Sequence, residues 1–376
     1  MSHTASSETT ITNIFNKYDN NFFITPDILQ EIIGKLSPNP LPEEYSFISG
    51  QELMAHLNTK RGGKNIRKTR KRRKRGGNGH NQLVNHLSTL CAGVIDIQFL
   101  EPLVRLLLTN TGAASSIFVI HTNSKAITSI KAFIVGTRHN GVVKLECVCA
   151  QQGFSHKIGR ILCAMFIGCI LSNFNKEIKQ HVDGINDTRT HNPDNKRGQF
   201  TISDDRKNQL MPKITLDAVG NPNSIKMFLE IGFRPIENNN LDIIPMELYT
   251  NKQIRLFNNE TNKYHESGTN EFSVDILLHS IQNKYPIVYT DEADVYSSLI
   301  PLFESEIQAY TIQNVFLKAL IGNRIETQVK RLITYYNPHL YDSKSKTKPK
   351  QTTIKQSLSE HKEARQNYTL SRRRNI

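Results

Sequence analysis

The stretch VVKLECVCAQQGFSHKIGRILCAMFIGCIL holds the residues best suited to chemistry. It reads as a strand, a polar turn and a helix whose first turn contains Lys157, Gly159 and Arg160. A helix that starts just after a strand presents unpaired backbone N–H groups and the positive end of its dipole. That end suits a phosphate or pyrophosphate, and a glycine there lets a ligand come close to the backbone. A second stretch, LDAVGNPNSIKMFLEIGFRPI, reads as a strand ending at Gly220-Asn221. A helix follows from Pro222, and a Gly232-Phe233 stop leads into another strand.

Thiol and metal chemistry have less support. Cys147 and Cys149 stand one residue apart, closer than the spacing of zinc knuckles, and no His pair completes a ligand set. No paired His–acid arrangement accompanies Cys149, which argues against a covalent nucleophile. The cysteines number five, and the N-terminus lacks a basic region followed by an apolar block. Both facts argue against a disulfide framework and for a reducing, intracellular compartment.

The elements that must position these residues occupy about residues 81 to 250. NQLVNHLSTL is helical by spacing, and SSIFVIHT, AITSIKAFIVGT and GVVKLECVCA are strand-like runs rich in β-branched residues. A helix follows from about 157 to 173, then a polar loop over 176–209. Next come a strand (MPKITLDAV), a helix (PNSIKMFLEIG) and two strand pieces, FRPIE and DIIPMEL. This order predicts an α/β (α+β) layer fold with one mixed, twisted sheet and flanking helices. Residues 1–59 read as a small helical module, and TPDILQEIIGKL spaces Ile28, Ile32 and Leu36 by four. Residues 60–80 read as a basic linker, 251–340 as a helical domain and 341–376 as a basic tail.

Charge is concentrated in those two basic segments. The formal total over 376 residues is +14. Residues 60–77 contain 11 Lys or Arg and no acid, and 344–376 contain 10 basic and 2 acidic residues, which leaves −5 on the remainder. Such runs repel themselves and cannot bury a core, so both read as disordered. They suit non-specific contact with nucleic-acid phosphates or a nuclear import signal, and equally a solubilising role. The 60–77 run has no aromatic residue on which a base could stack. The longest apolar run, Ile161 to Leu171, falls short of the ~18–20 residues a membrane span needs. An Asn-, Ile- and Lys-rich composition without Trp suggests an AT-rich genome, and the GGK…RKRRKRGG tract looks like those in large DNA viruses of protists.

Taken together and in order, the two chemistry-bearing stretches resemble the GNAT superfamily of acetyl-CoA-dependent N-acetyltransferases. One family signature runs roughly V-x-P-x-x-R-G-x-G-x-G/A after a strand. Here Cys149 takes the Val position, Gln151 the Pro position and Phe154 the Arg position. Lys157 stands where the middle Gly is usual and Gly159 falls on the last Gly. The later signature, roughly L-x-V-x-x-x-N-x-x-A-x-x-L-Y-x-x-x-G-F, is matched by Leu216, Asn221 and Gly232-Phe233, with Phe228 in the Tyr position.

The resemblance implies a site for acetyl-CoA. The backbone at Cys149 and Gln151 would pair with the pantetheine arm like an added strand. The N–H groups from Phe154 to Arg160 would hold the pyrophosphate, with Lys157 and Arg160 adding charge. Asn221 would contact the arm and Phe228 would lie near the thioester. Phe228 has no hydroxyl to protonate a leaving thiolate, and Lys157 could either obstruct the pyrophosphate or reach it. An amine acceptor, protein or small molecule, needs a base, because an ammonium has no lone pair. Glu146 is the first choice, with Asp217 and His156 behind it. Strand alternation sets Glu146 and Val148 on one face and Cys147 and Cys149 on the other. Two other readings stay open: a catalytically degenerate GNAT-fold binding protein, and a nucleic-acid-associated protein in which this domain is scaffold.

Overall fold

The computed structural model describes residues 24–36, 40–59, 77–91, 95, 97–109, 114–124, 126–139, 141–154, 157–190, 201–203, 211–219, 222–236, 243–258, 260–261, 263–264 and 270–292. The tail from 341 and the linker core 60–76 lie outside them, as do the expected helices beyond 292. Helix α1 (Pro26–Gly34) starts as its sequence dictates: Pro26 opens it and Thr25 Oγ1 accepts the Ile28 N–H. Strand β1 (Tyr45–Ser49) runs into helix α2 (Gly50–Thr59). Helices α3 (Gly77–Leu90) and α4 (Ile97–Thr109) follow, then strands β2 (Ala114–His121), β3 (Ile130–His139) and β4 (Val142–Ala150). Helix α5 (Ile158–Thr190) leads to β5 (Lys213–Val219), helix α6 (Pro222–Ile231), β6 (Phe233–Pro235) and β7 (Ile243–Leu248).

These seven strands form one mixed sheet in the order β1-β2-β3-β4-β5-β7-β6. Every neighbouring pair is antiparallel except β4 and β5, which are parallel. A parallel pair needs a crossover, and α5 supplies it. The expected α/β class, with a mixed sheet between helices, is the one observed.

The two faces of the sheet are covered differently. On one, Leu53 of α2, Leu83 and Leu87 of α3 and Leu100 and Val104 of α4 pack on Phe118, Phe133, Val135, Cys147 and Cys149. On the other lies α5, so close to β3 that a Cβ on Gly136 would come within 2.6 Å of the Phe166 ring. Only glycine fits there, and a larger residue would cost ~1–3 kcal/mol in overpacking. Helix α5 passes every test of length and composition for a membrane span, but 78% of its apolar window is buried inside the protein. It is the core helix of this fold.

A second, four-stranded antiparallel sheet comprises β8 (Gln253–Asn258), β9 (Lys263–Tyr264), β10 (Asn270–Glu271) and β11 (Ile287–Tyr289), with helix α7 (Val274–Asn283) between β10 and β11. Arg234, 0% exposed, ties it to the first. Its guanidinium donates to the carbonyls of Leu229, Phe233 and Ile287 and stacks on the Tyr289 ring. The Tyr289 hydroxyl donates to the Gly232 carbonyl (2.7 Å) and accepts the Tyr249 N–H (3.0 Å). Gly232 sits at φ +109°, a conformation open to glycine and strained for other residues.

Several expectations need correction. Residues 1–59 contribute a strand as well as helices: YSFIS pairs residue for residue with β2 and extends the sheet at its edge. The apolar helix does not stop at 173 but continues to Thr190, because Phe174, Ile178 and Val182 carry its buried stripe on at four-residue spacing beneath Ile202 and Met211. The described part of 251–340 contains a small β-sheet beside helix α7, since QIRLFN and IVY alternate or bury as strands do. Helix α4 went unread in the sequence; Pro102 within it masks an otherwise helical pattern. The cysteines are not all free: Cys91 at the end of α3 is disulfide-bonded to Cys149 of β4, with 5.0 Å between Cα atoms.

Two measurements check this fold. Thiol titration of unfolded chain should count three free thiols without reductant and five with it; the native protein should react slowly, since Cys147, Cys163 and Cys169 are buried. Tyr289→Phe should lower unfolding free energy by ~1–3 kcal/mol in a urea titration, because it leaves a buried carbonyl and a half-buried N–H without their partner.

Candidate active site

The sheet opens between β4 and β5. Their parallel ladder runs from Val142↔Lys213 to Leu145↔Leu216 and stops there. Both strands continue: β4 stays paired with β3 up to Ala150, and β5 stays paired with β7 up to Val219. A wedge-shaped gap therefore separates Glu146–Ala150 from Asp217–Val219. Its apex coincides with a break in register, where Val135 faces Cys147 but the next residue, Gly136, faces Leu145. Glu146 is thus the extra residue of a β-bulge, and a bulge bends and twists its strand away from regular pairing.

The bulge also moves Glu146 off the face that simple alternation assigns it. Its carboxylate accepts a 2.6 Å hydrogen bond from Thr137 Oγ1, and Thr137 shares a face with Val135 two residues earlier. Val135 packs with Cys147 and Cys149. Glu146 therefore lies on the α2–α3–α4 face, opposite α5. Lys144 and Asp217 pair across the two strands at 2.7 Å, so Asp217 is held by a cation.

Backbone direction corrects the expected cofactor contacts. The Gln151 N–H donates to the Lys131 carbonyl at 2.7 Å, and the Gln151 carbonyl accepts the Phe154 N–H at 3.0 Å. Hydrogen-bonded pairs alternate along an antiparallel ladder. Cys149, opposite Phe133, therefore also turns its backbone to β3, and the groups turned to the gap belong to Val148 and Ala150. The Phe154 ring packs edge-on against Tyr45 of β1 at 4.8 Å between centroids.

At the mouth of the gap, α5 begins. Its first intrahelical bond is Ile161 N–H to the Lys157 carbonyl, so the N–H groups of Ile158, Gly159 and Arg160 have no intrahelical acceptor. Lys157 is exposed beside them. The Arg160 guanidinium is ion-paired with Glu230 of α6 at 2.8 Å, with side-chain exposures of 14% and 12%. Its Nε and Nη2 are buried with no hydrogen-bond partner. These orphaned donors fit a diphosphate on the same helical turn. A Cβ on Gly159 would make only ordinary contacts, 3.5 Å from Met227 Sδ and 3.7 Å from Val148 Cγ1. Phe228 is half-buried and packs edge-on to Phe233 at 5.9 Å. Asn221 and His156 lie outside the described residues.

No protein-family model matches this chain, and no curated protein does. Two solved structures are similar. One is the PaiA N-acetyltransferase of Thermoplasma acidophilum in complex with coenzyme A, at 13% identity and a TM-score of 0.26 over 54% of this chain and 99% of that one. The other is a putative GNAT-family acetyltransferase of Desulfovibrio desulfuricans, at 10% identity and a TM-score of 0.28 over 45% of this chain and 92% of that one. Scores of this size do not bear on what the chain does.

Thiol nucleophiles are poorly placed. Cys149 is in the disulfide, and burial pushes the thiols of Cys147, Cys163 and Cys169 well above their ordinary range. A separate cleft of about 290 Å³, lined in part by Leu171, Asn175, Met211 and Glu271, shares no residue with the gap.

Sequence reasoning found the helix start but missed Thr137 and Glu230, which hold Glu146 and Arg160 in place. The geometry gives a clean probe. Gly159→Ala should fold with equal or slightly higher thermal stability, by up to ~1 kcal/mol from helix propensity. A large drop in melting temperature would show that the first turn is packed more tightly than described.

Proposed function

We propose that this chain is an acetyl-CoA-dependent N-acetyltransferase that works by direct attack of an amine on the thioester. The observation that carries it is the gap between β4 and β5, with its apex at the Glu146 bulge and the first turn of α5 at its mouth. The GNAT resemblance in the sequence agrees in the placing of both signature stretches. In this reading the backbone of Val148 and Ala150 pairs with the amide-bearing pantetheine arm as a third strand would. The N–H groups of Ile158, Gly159 and Arg160 bind the pyrophosphate, helped by the orphaned guanidinium donors of Arg160 and the exposed Lys157. Bound acetyl-CoA supplies an activated acyl group.

Glu146 sits where the strands part and is oriented by Thr137. It takes the proton that the acceptor ammonium must lose before nitrogen can attack. Phe228 offers no proton to the departing thiolate, so water does. The lack of a hydroxyl also favours a second reading, a protein that binds CoA without turnover. The basic segments 60–77 and 344–376 would add salt-dependent affinity for polyanions under either reading.

Calorimetry on the full chain tests the cofactor site. Acetyl-CoA and CoA should bind in the micromolar range, and Gly159→Asp should abolish binding by setting a carboxylate against the pyrophosphate. A folded wild-type chain that binds neither would sink the proposal. Glu146→Gln should keep acetyl-CoA affinity while slowing amine acetylation by ~10²–10⁴-fold. Retained binding with no turnover on any amine would instead favour the non-catalytic reading.

A further inference from the structure

The acetyl-transfer reading makes no use of the second cleft, of about 290 Å³, which is lined from α5, the turn between β7 and β8, β10 and the start of α7. Leu171, on its wall, lies ~20 Å along α5 from Ile158 at ~1.5 Å per residue. The turn after β7 belongs to the same end of the molecule, because Leu248 pairs with Ile214 near the start of β5. The gap opens at the other end of β5, beyond Leu216. A ligand in this cleft is therefore remote from Glu146.

The lining holds groups that the fold leaves unmatched. Thr250 is only 8% exposed, yet its hydroxyl makes no hydrogen bond with any described residue. A buried hydroxyl costs free energy unless it is paired, and one on a cleft wall is paired by what fills the cleft. Ser273, on the same wall, spends its hydroxyl differently, accepting the Ile276 N–H as the cap of α7. Two opposite charges also line the cleft without meeting. Glu271 stands opposite Gln253 in the β8–β10 ladder, next to Lys252. Lys252 Nζ nevertheless goes to Asp291 at 2.8 Å and lies over the Tyr249 ring, so it is held in place with N–H donors to spare. The Glu271 carboxylate has no ion-pair partner among the described residues. Leu171, Phe272 and Val274, all buried, and half-buried Met211 add an apolar wall.

We infer that this cleft binds a free α-amino acid with an apolar side chain. The ligand's carboxylate accepts from Lys252 Nζ and the Thr250 hydroxyl, and its ammonium donates to Glu271. Its side chain packs on Leu171 and Met211. A zwitterion satisfies both charges at once, which neither a simple amine nor a simple acid does. The space also suits such a molecule: about 290 Å³ is the room of roughly ten waters at ~30 Å³ each. No bond is made or broken in this site. The inference stands independently of acetyl transfer, and either can fail alone.

The test is calorimetric titration of the full chain with L-leucine and L-methionine, beside leucinamide, which lacks the carboxylate, and N-acetylleucine, which lacks the ammonium. The free amino acids should bind in the submillimolar range, about tenfold or more tighter than either blocked form. Glu271→Gln should weaken leucine binding about tenfold or more, and Thr250→Val should weaken it by roughly threefold to tenfold. Without amino acid, Thr250→Val should unfold in urea at the same or a higher midpoint than wild type, since the replaced hydroxyl has no partner in the fold. Acetyl-CoA titrations should be the same for wild type and both variants. No binding of either amino acid by folded wild type at ~10 mM would overturn the inference. So would blocked forms that bind as tightly as leucine, binding untouched by both substitutions, or a clear loss of stability in Thr250→Val. None of these results would bear on acetyl-CoA binding at the gap.

Discussion

The organisation of this molecule turns on a backbone constraint at the centre of its sheet. Every strand residue must place its N–H and C=O groups somewhere, and between β4 and β5 the ladder ends at Leu145 and Leu216 while both strands go on. The bulge at Glu146 sets where that happens, because one extra residue changes both the twist of β4 and the direction its side chain takes. From this follow a slot edged with backbone amide groups, a carboxylate at its apex and a helix start at its mouth. None of these would coincide if the two strands stayed parallel and paired.

Much of this was legible in the chain, and the limits are instructive. The three-strand meander, the turn into α5 and the Gly232-Phe233 stop are local patterns, written in β-branched runs, glycines and helical spacing. The bulge is not local. Nothing in ECVCA marks Glu146 as supernumerary, since the signal lies in how β3 is paired. The same holds for the ion pair of Arg160 with Glu230, seventy residues on, which nothing in GRILC announces. The edge strand YSFIS was hidden because two helical segments flank it and its partner lies across a long stretch of chain. The gap's donors were displaced by one residue, from Cys149 and Gln151 to Val148 and Ala150, for a reason only the ladder reveals.

The second sheet is integral to this arrangement. Burying a guanidinium is expensive unless its hydrogen bonds are met, and Arg234 meets them with carbonyls from α6, β6 and β11. That single side chain caps the end of α6 and anchors β11 at once. Helix α6 also carries Met227, Phe228 and Glu230, so the wall of the slot is braced from the far side by a residue that never approaches it.

The disulfide carries a consequence for how the protein is made. Cys149 follows Cys91 by 58 residues, and α4, β2, β3 and nearly all of β4 lie between them. As the chain emerges from the ribosome, Cys91 waits through the synthesis of the whole meander before its partner exists. The bond can therefore close only after the chain of the whole meander has been made. A chain made and kept under reducing conditions would hold the same strands in the same order, with the joint between α3 and β4 resting on packing alone.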